Sequence, residues 1–246
     1  FKQVALNVFK HQFKNNKVYR SFCDLLYVHP SSINQVEKIP FLPIQFFKIR
    51  KILSSLEEVQ ETFTSSGTTG SITSKHFVTD INLYKESYLN GFFHFYGNIE
   101  DYVVLALLPN YLEREGSSLV FMVDDLIQKS KNSESGFYLN NIDELAKKLT
   151  ELDKKGQKVL LIGVSFALLD LIETAQFNLK NTIIMETGGM KGRRKELVRE
   201  ELHQILRNGF GVSEIHSEYG MAELLSQGYS NGNGVWDAGE SYTDWD

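Results

Sequence analysis

Apolar and polar positions along the chain fall into patterns that change character near residue 100. At the start, Val4, Val8 and Phe9 and then Phe22, Leu25 and Leu26 keep helical spacing that breaks near Asn15-Asn16. This predicts two helices within residues 1–28. Residues 39–47 are apolar but interrupted by Pro40 and Pro43, so an extended path is expected, with aromatic side chains filling core or walling an acyl pocket. Residues 59–63 and 76–78 alternate apolar and polar, which predicts two strands joined by a loop. Asp80 is placed to cap a helix reaching about Tyr96, with Leu83, Tyr84, Tyr88, Phe92 and Phe95 on its apolar side. Residues 101–108 form a continuous apolar run ended by Pro109-Asn110, the pattern of a strand covered on both faces. A helix over residues 117–128 follows. Then strands at 136–139, 159–162 and 182–185 alternate with helices at 142–155, 166–176 and 193–207. That alternation predicts an α/β fold of mostly parallel sheets flanked by helices, with ligand loops at the carboxyl ends of the strands.

Composition narrows the class. The 246 residues, 42% hydrophobic and 12% aromatic, suffice for a sizeable core of one or two domains. A net charge of −5, from 26 basic and 31 acidic residues, leaves no electrostatic footprint for nucleic acid or an anionic membrane. No apolar run reaches the ~18 residues of a membrane span and no signal peptide is visible. The single cysteine, Cys23, rules out an internal disulfide framework and fits a reducing cytoplasm, and the histidines show no metal-ligand spacing. A first residue of Phe1 rather than methionine leads to the expectation of a fragment.

The stretch with most chemical content is residues 64–76, a hydroxyl-rich loop containing Gly67 and Gly70 with Lys75 close behind. Glycines there let successive backbone N–H groups converge on an anion, hydroxyls add donors, and Lys75 adds a charge. The same composition also suits a plain surface turn, and the spacing is not that of a Walker P-loop. Two later strand ends are also candidates. Residues 183–192 run from an apolar strand into Gly188, Gly189 and Gly192, with a helix expected to open at Arg193, bury Leu197 and Val198, and favour an anion at its start. Residues 215–223 carry Tyr219, Gly220 and Glu223, where one carboxylate could hold Mg²⁺ together with nucleotide phosphates. A competing reading takes Gly163-Val164-Ser165-Phe166-Ala167 as a nucleophile elbow, with Asp170 and His203 or His216 completing a serine acyl hydrolase or transferase.

The loop at Ser65, Ser66, Gly67, Thr68, Thr69 and Gly70 with Lys75, then Gly188-Gly189, then Tyr219-Gly220-Met221-Ala222-Glu223, resembles in order the adenylate-forming superfamily of acyl and aryl ligases. Residues 39–43, 111–118, 186–192 and 218–227 look more closely like the LuxE acyl-protein synthetase family, a resemblance that covers roughly residues 1–235. It implies the large N-terminal domain of an adenylate-forming enzyme over 1–235, followed by an acidic tail over 236–246 that leaves the family pattern. It further implies ATP and Mg²⁺ as cofactors and a long-chain fatty acid as substrate. The fatty acid is activated to an acyl-adenylate and passed to a protein thiol, with an acyl reductase or acyl carrier protein as partner. By that resemblance the residues of the 65–70 loop hold the β- and γ-phosphates, Lys75 and Glu223 act in catalysis, and Glu223 binds the metal. Tyr219 and Gly220 meet adenine, and Gly188 and Gly189 line the junction of acyl chain and AMP. The sequence departs from the pattern at Ala222, where a threonine is usual, and at Lys75, which lies further from Gly70 than is common. It also stops before the ribose-binding aspartate, the mobile C-terminal domain and the cysteine acyl acceptor. A nucleotide-binding fragment without turnover is therefore a second alternative. The tail pattern at 231–240 resembles a calcium loop, but its first ligand would fall on Tyr229.

Overall fold

The computed structural model describes residues 1–65, 72–109, 115–139, 141–190 and 192–232. The tail expected over 236–246 and the calcium-like pattern beyond Gly232 lie outside them. The chain divides into two compact units. The first comprises residues 1–85, 116–118 and 221–225, and the second residues 86–115, 119–220 and 226–246.

In the first unit, α1 (Lys2–Asn15) and α2 (Lys17–Leu25) form the expected pair. Asn16 separates them, and its side chain accepts from the Tyr19 N–H, supplying the cap that lets the second helix begin at once. Phe9, Phe13, Tyr19 and Cys23 pack into one cluster, and the Tyr19 hydroxyl donates to the Pro40 carbonyl at 2.7 Å, holding the proline segment against it. The apolar run does not stay extended throughout, because Phe46–Ile49 closes into one helical turn, α3. Strands β1 (Glu61–Thr64) and β2 (Lys75–Val78) pair antiparallel, as the alternation required. Helix α4 (Ile81–Tyr96) starts where Asp80 accepts from the Asn82 N–H and the Gln60 side chain accepts from the Ile81 N–H. Tyr84, Tyr88 and Phe92 of α4 are buried, but Leu83 is 59% exposed and does not share their face.

The second unit is a six-stranded sheet in the order β4-β3-β5-β6-β7-β8. Its strands are β3 (Val103–Leu107), β4 (Gly136–Tyr138), β5 (Val159–Val164), β6 (Thr182–Thr187), β7 (His216–Gly220) and β8 (Gln227–Ser230). All neighbours are parallel except β7 and β8, which form an antiparallel edge. Helices α5 (Ser118–Lys129), α6 (Ile142–Lys154), α7 (Ser165–Thr174) and α8 (Arg199–Phe210) connect the parallel strands. The chain first moves from β3 to β4 and then returns past β3 to β5. A right-handed crossover therefore puts α5 on one face and the later helices on the other, and the strand order reverses between β3 and β5. Every residue of β3 and β5 is buried, which is why both read as unbroken apolar runs.

Helix α8 begins six residues later than its apolar spacing suggested. Val198 is its cap and is 67% exposed, and Glu200 and Glu201 occupy the first turn. Three successive cations at Arg193, Arg194 and Lys195 oppose the positive end of a helix, whereas two glutamates suit it. Arg194 instead reaches back to Asp170 and Glu173 of α7. At the other end of the unit the buried Asp153 carboxylate of α6 accepts from the N–H groups of Lys180 and Asn181 and from the Thr182 hydroxyl, at 2.7–3.1 Å. This fixes the entry into β6. Replacing Asp153 with Ala strands those donors, and urea denaturation is expected to show a loss of about 2–4 kcal/mol. An unchanged midpoint would show that the anchor is dispensable.

Candidate functional site

The expected site residues divide between the units, with Ser65, Lys75 and Glu223 in the first and Gly188, Gly189, Tyr219 and Gly220 in the second. Ser66, Gly67, Thr68, Thr69 and Gly70 lie outside the described residues. The ends of their loop are well defined. The Ser65 N–H donates to the Ser74 carbonyl at 3.1 Å, and the Ser74 N–H donates to Ser65 Oγ at 2.9 Å, just beyond the Thr64–Lys75 pair of the ladder. The incoming strand is braced by Gly116, whose carbonyl accepts from the Thr64 N–H at 2.8 Å. Gly116 has φ +78°, and a Cβ there would stand 2.9 Å from the Thr62 carbonyl oxygen, so only glycine fits.

Glu223 belongs to the same unit, and a histidine ties its segment to β2. His76 Nδ1 lies 3.0 Å from the Ala222 carbonyl oxygen, so this nitrogen carries the proton that is donated. Burial pushes the His76 imidazole below its usual value. The bond to Ala222 and the charge of Glu223 work against that push without overcoming it. The backbone beside Glu223, a half-buried residue, is thus bonded to the strand that carries Lys75. Among the described residues no three His, Cys, Asp or Glu side chains group as a metal cluster.

The second unit holds a buried polar network that the sequence reading did not identify. Glu186, at the end of β6, accepts from Ser217 Oγ at 2.7 Å and Ser165 Oγ at 3.2 Å, and lies 3.4 Å from His203 Nε2 and 3.5 Å from the Arg199 guanidinium. Burial works to raise its carboxyl, but the bonds from His203 and Ser217 and the neighbouring positive charge outweigh it, and the group is held below the usual range. One strand over, Glu218 is only 4% exposed. Burial pushes its carboxyl from 4.5 up to about 7, a bond from Thr187 pulls partly back, and the Glu186 charge pushes further up. The only signal in the sequence was polar residues inside otherwise apolar strands.

The Thr187–Glu218 bond organises the strand ends. Backbone pairing of β6 with β7 covers Met185–His216 and Glu186–Ser217. At the next position the Thr187 hydroxyl donates to Glu218 Oε2 at 2.6 Å. Immediately beyond stand Gly188-Gly189 on one strand and Tyr219-Gly220 on the other, and Tyr219 is 52% exposed. A Cβ on Gly220 would come 2.9 Å from Glu218 Oε1 and 3.1 Å from Gln227 Nε2, so a side chain there would displace the carboxyl. The helix expected to open beside Gly188 and Gly189 does not, since α8 starts at Arg199.

The nucleophile-elbow reading fails on geometry. Ser165 is 1% exposed, and its hydroxyl donates to Glu186 and, at 3.5 Å, to the Gly188 carbonyl. Asp170 is engaged by Arg194, His203 faces Glu186 and Ser217, and His216 faces the Tyr96 hydroxyl. Gly163 serves packing, because a Cβ there would meet Leu168 at 2.7 Å.

Comparison with known proteins bears on the first unit most directly. Residues 1–84 match the family model of the acyl-protein synthetase LuxE. That stretch includes the proline segment and the glycine loop, whereas the resembling motifs after residue 84 lie beyond the match. The long-chain-fatty-acid–luciferin-component ligase of Photorhabdus luminescens is 37% identical over 70 residues, which are 28% of this chain and 60% of that protein. The ligase of the same name from Vibrio harveyi is 36% identical over 69 residues, 18% of its length. Among solved structures, 2-hydroxyisobutyryl-CoA ligase with 2-HIB-AMP and CoA superposes with a TM-score of 0.63 at 11% identity, over 96% of this chain and 53% of that one. The same ligase in its postadenylation state gives 0.62 at 10% identity, over 91% of this chain and 49% of that one. The chain thus spans about half of those structures and shares their α/β fold.

The network has a pH signature. Below about pH 4.5 Glu218 is protonated in both folded and unfolded chains. As pH rises toward 7 only the unfolded chain ionises, so stability falls through that window and levels off above it. Glu218→Gln is expected to remove this part of the decline in urea midpoints measured from pH 4.5 to 8, and an identical slope in the variant would contradict it.

Proposed function

We propose that this chain is the nucleotide- and acyl-binding part of an ATP-dependent ligase that activates a long-chain fatty acid to an acyl-adenylate, with transfer of the acyl group to a protein thiol. The observation that carries the reading is LuxE sequence across the glycine loop, in a chain with the α/β fold of an adenylate-forming ligase. Residues 1–235 act as the adenylate-forming N-terminal domain. Ser65, Ser66, Gly67, Thr68, Thr69 and Gly70 hold the β- and γ-phosphates, and Lys75 neutralises charge on them. In the second unit Tyr219 packs on adenine beside Gly220, while Gly188 and Gly189 let the acyl carbonyl approach the AMP phosphate closely. Glu223 holds Mg²⁺, which supplies charge neutralisation on the phosphates when bound.

In the reaction a carboxylate oxygen of the fatty acid attacks the α-phosphorus, the bond from that phosphorus to the bridging oxygen breaks, and diphosphate leaves with the electron pair. No proton need be moved by the protein, so positioning and neutralisation of charge carry the step. A thiol of an acyl reductase or acyl carrier partner then takes the acyl group and releases AMP. A cytoplasmic setting suits these substrates, and among the described residues no helix is long and apolar enough to cross a membrane.

ATP–diphosphate exchange with a panel of fatty acids, on this chain and a longer version, tests the reading. Exchange is expected to depend on fatty acid and to fall at least tenfold in Glu223→Gln. Nucleotide binding by this chain with exchange only in the longer version would make it a binding fragment. No exchange in either would overturn the ligase reading.

A further inference from the structure

Backbone pairing between β6 and β7 ends at Glu186–Ser217. One residue further on, the Glu218 carboxyl takes over the spacing of the two strands. Its Oε2 accepts from the Thr187 hydroxyl at 2.6 Å, and its Oε1 lies against Gly220, 2.9 Å from where a Cβ of that residue would stand. The Gln227 amide of β8 closes on the same point, at 3.1 Å. Thr187 leads straight into Gly188-Gly189, and Gly220 follows Tyr219, so one side chain meets the approach to both strand ends. Oε1 is buried and has no hydrogen-bond partner among the described residues. A buried oxygen left without a partner weakens a fold, so stability alone does not account for a glutamate here. The groups around it are Glu186 and Thr187 on β6, Gln227 and Tyr229 on β8, Tyr96 on α4 and, on its own strand, His216. Burial holds His216 toward the neutral form, and its ring meets the Tyr96 hydroxyl. None of these supplies a positive charge. The cations of the network, Arg199 and His203, stand beside Glu186 instead.

We propose that Glu218 is a positioning residue for the adenylate, setting the distance between the ends of β6 and β7, and that it does so only while its carboxyl carries a proton. The inference rests on the reading of Gly188-Gly189 and Tyr219-Gly220 as the places that hold the acyl–AMP junction and adenine. With the proton on, Oε2 accepts from Thr187 and the rest of the carboxyl stays packed beside Gly220 without charge. With the proton off, two carboxylates stand one strand apart, and the new charge must find water. Its way out is past Gly220, which is exposed and has no side chain, so ionisation pushes the Tyr219-Gly220 edge away from Gly188-Gly189. A ligand seated across the two strand ends covers that way out and favours the protonated carboxyl. Binding therefore takes up a proton, and by reciprocity a rise in pH weakens the ligand. Burial and the Glu186 charge raise the carboxyl to about 7, which places the effect near neutral pH.

The test is calorimetric titration of the purified chain with dodecanoyl sulfamoyl-adenosine, an acyl-adenylate analogue whose sulfamate does not titrate between pH 6 and 8. Titrations in buffers of different ionisation enthalpy count the protons taken up. The native chain is expected to take up a fraction of a proton near pH 7 and to lose about fivefold or more in affinity from pH 6 to 8. Glu218→Gln, neutral and of the same length, should bind at every pH as the native chain does at pH 6, with no proton uptake. Thr187→Val, which cuts the link and leaves the carboxyl, should bind about fivefold more weakly at pH 6, and Thr187→Ser, which restores the hydroxyl, should recover the native affinity. A glutamate with a purely structural role would move melting temperatures and leave the proton count at zero. Binding by the native chain without proton uptake, the same uptake in Glu218→Gln, or full affinity in Thr187→Val overturns the positioning role and leaves the ligase reading intact. No binding at any pH overturns the role together with the nucleotide reading on which it rests.

Discussion

Burial of β3 and β5 on both faces is the constraint from which the second unit follows. A strand with no solvent-facing side must be paired at both edges and covered by helices above and below, and parallel pairing with crossover helices is the arrangement that does this. Once β3 and β5 are central, β6 and β7 must lie outward on one side and β4 on the other. The polar ends of β6 and β7 then stand side by side, because parallel strands bring their carboxyl ends to the same edge. Glu186, Thr187, Ser217 and Glu218 become neighbours for that reason, though about thirty residues separate them in sequence.

Two buried carboxylates one strand apart cannot both be charged cheaply. The network resolves this by giving Glu186 nearly all the positive and hydrogen-bonding partners, His203, Arg199, Ser217 and Ser165. Glu218 receives the Thr187 hydroxyl and is driven toward the neutral form. Gly188-Gly189 and Tyr219-Gly220 follow directly on the strand ends that this network joins.

The first unit solves a different problem, that of fixing the two ends of a glycine-rich loop. Its two ends are locked by the Ser65–Ser74 bonds and by Gly116. The His76–Ala222 bond then brings the segment of Glu223 to the same strand. A neutral histidine suits this role, because it donates one directed bond without adding charge.

Much of this was legible in the order of residues. Continuous apolar runs marked the buried parallel strands, Asn16 and Asp80 marked helix starts, and alternation marked the hairpin, because these signals depend only on near neighbours in the chain. What needed the folded chain was everything decided by long-range neighbours. Apolar spacing placed α8 at Arg193, but the pull of Asp170 and Glu173 on Arg194 moved its start to Arg199. A Gly-x-Ser turn suggested a nucleophile, but the approach of Leu168 to Gly163 and of Glu186 to Ser165 made it packing. The protonation of Glu218 arises from burial and from the charge of Glu186, far from it in sequence. Such fields are set by distance in space, which only the tertiary structure decides.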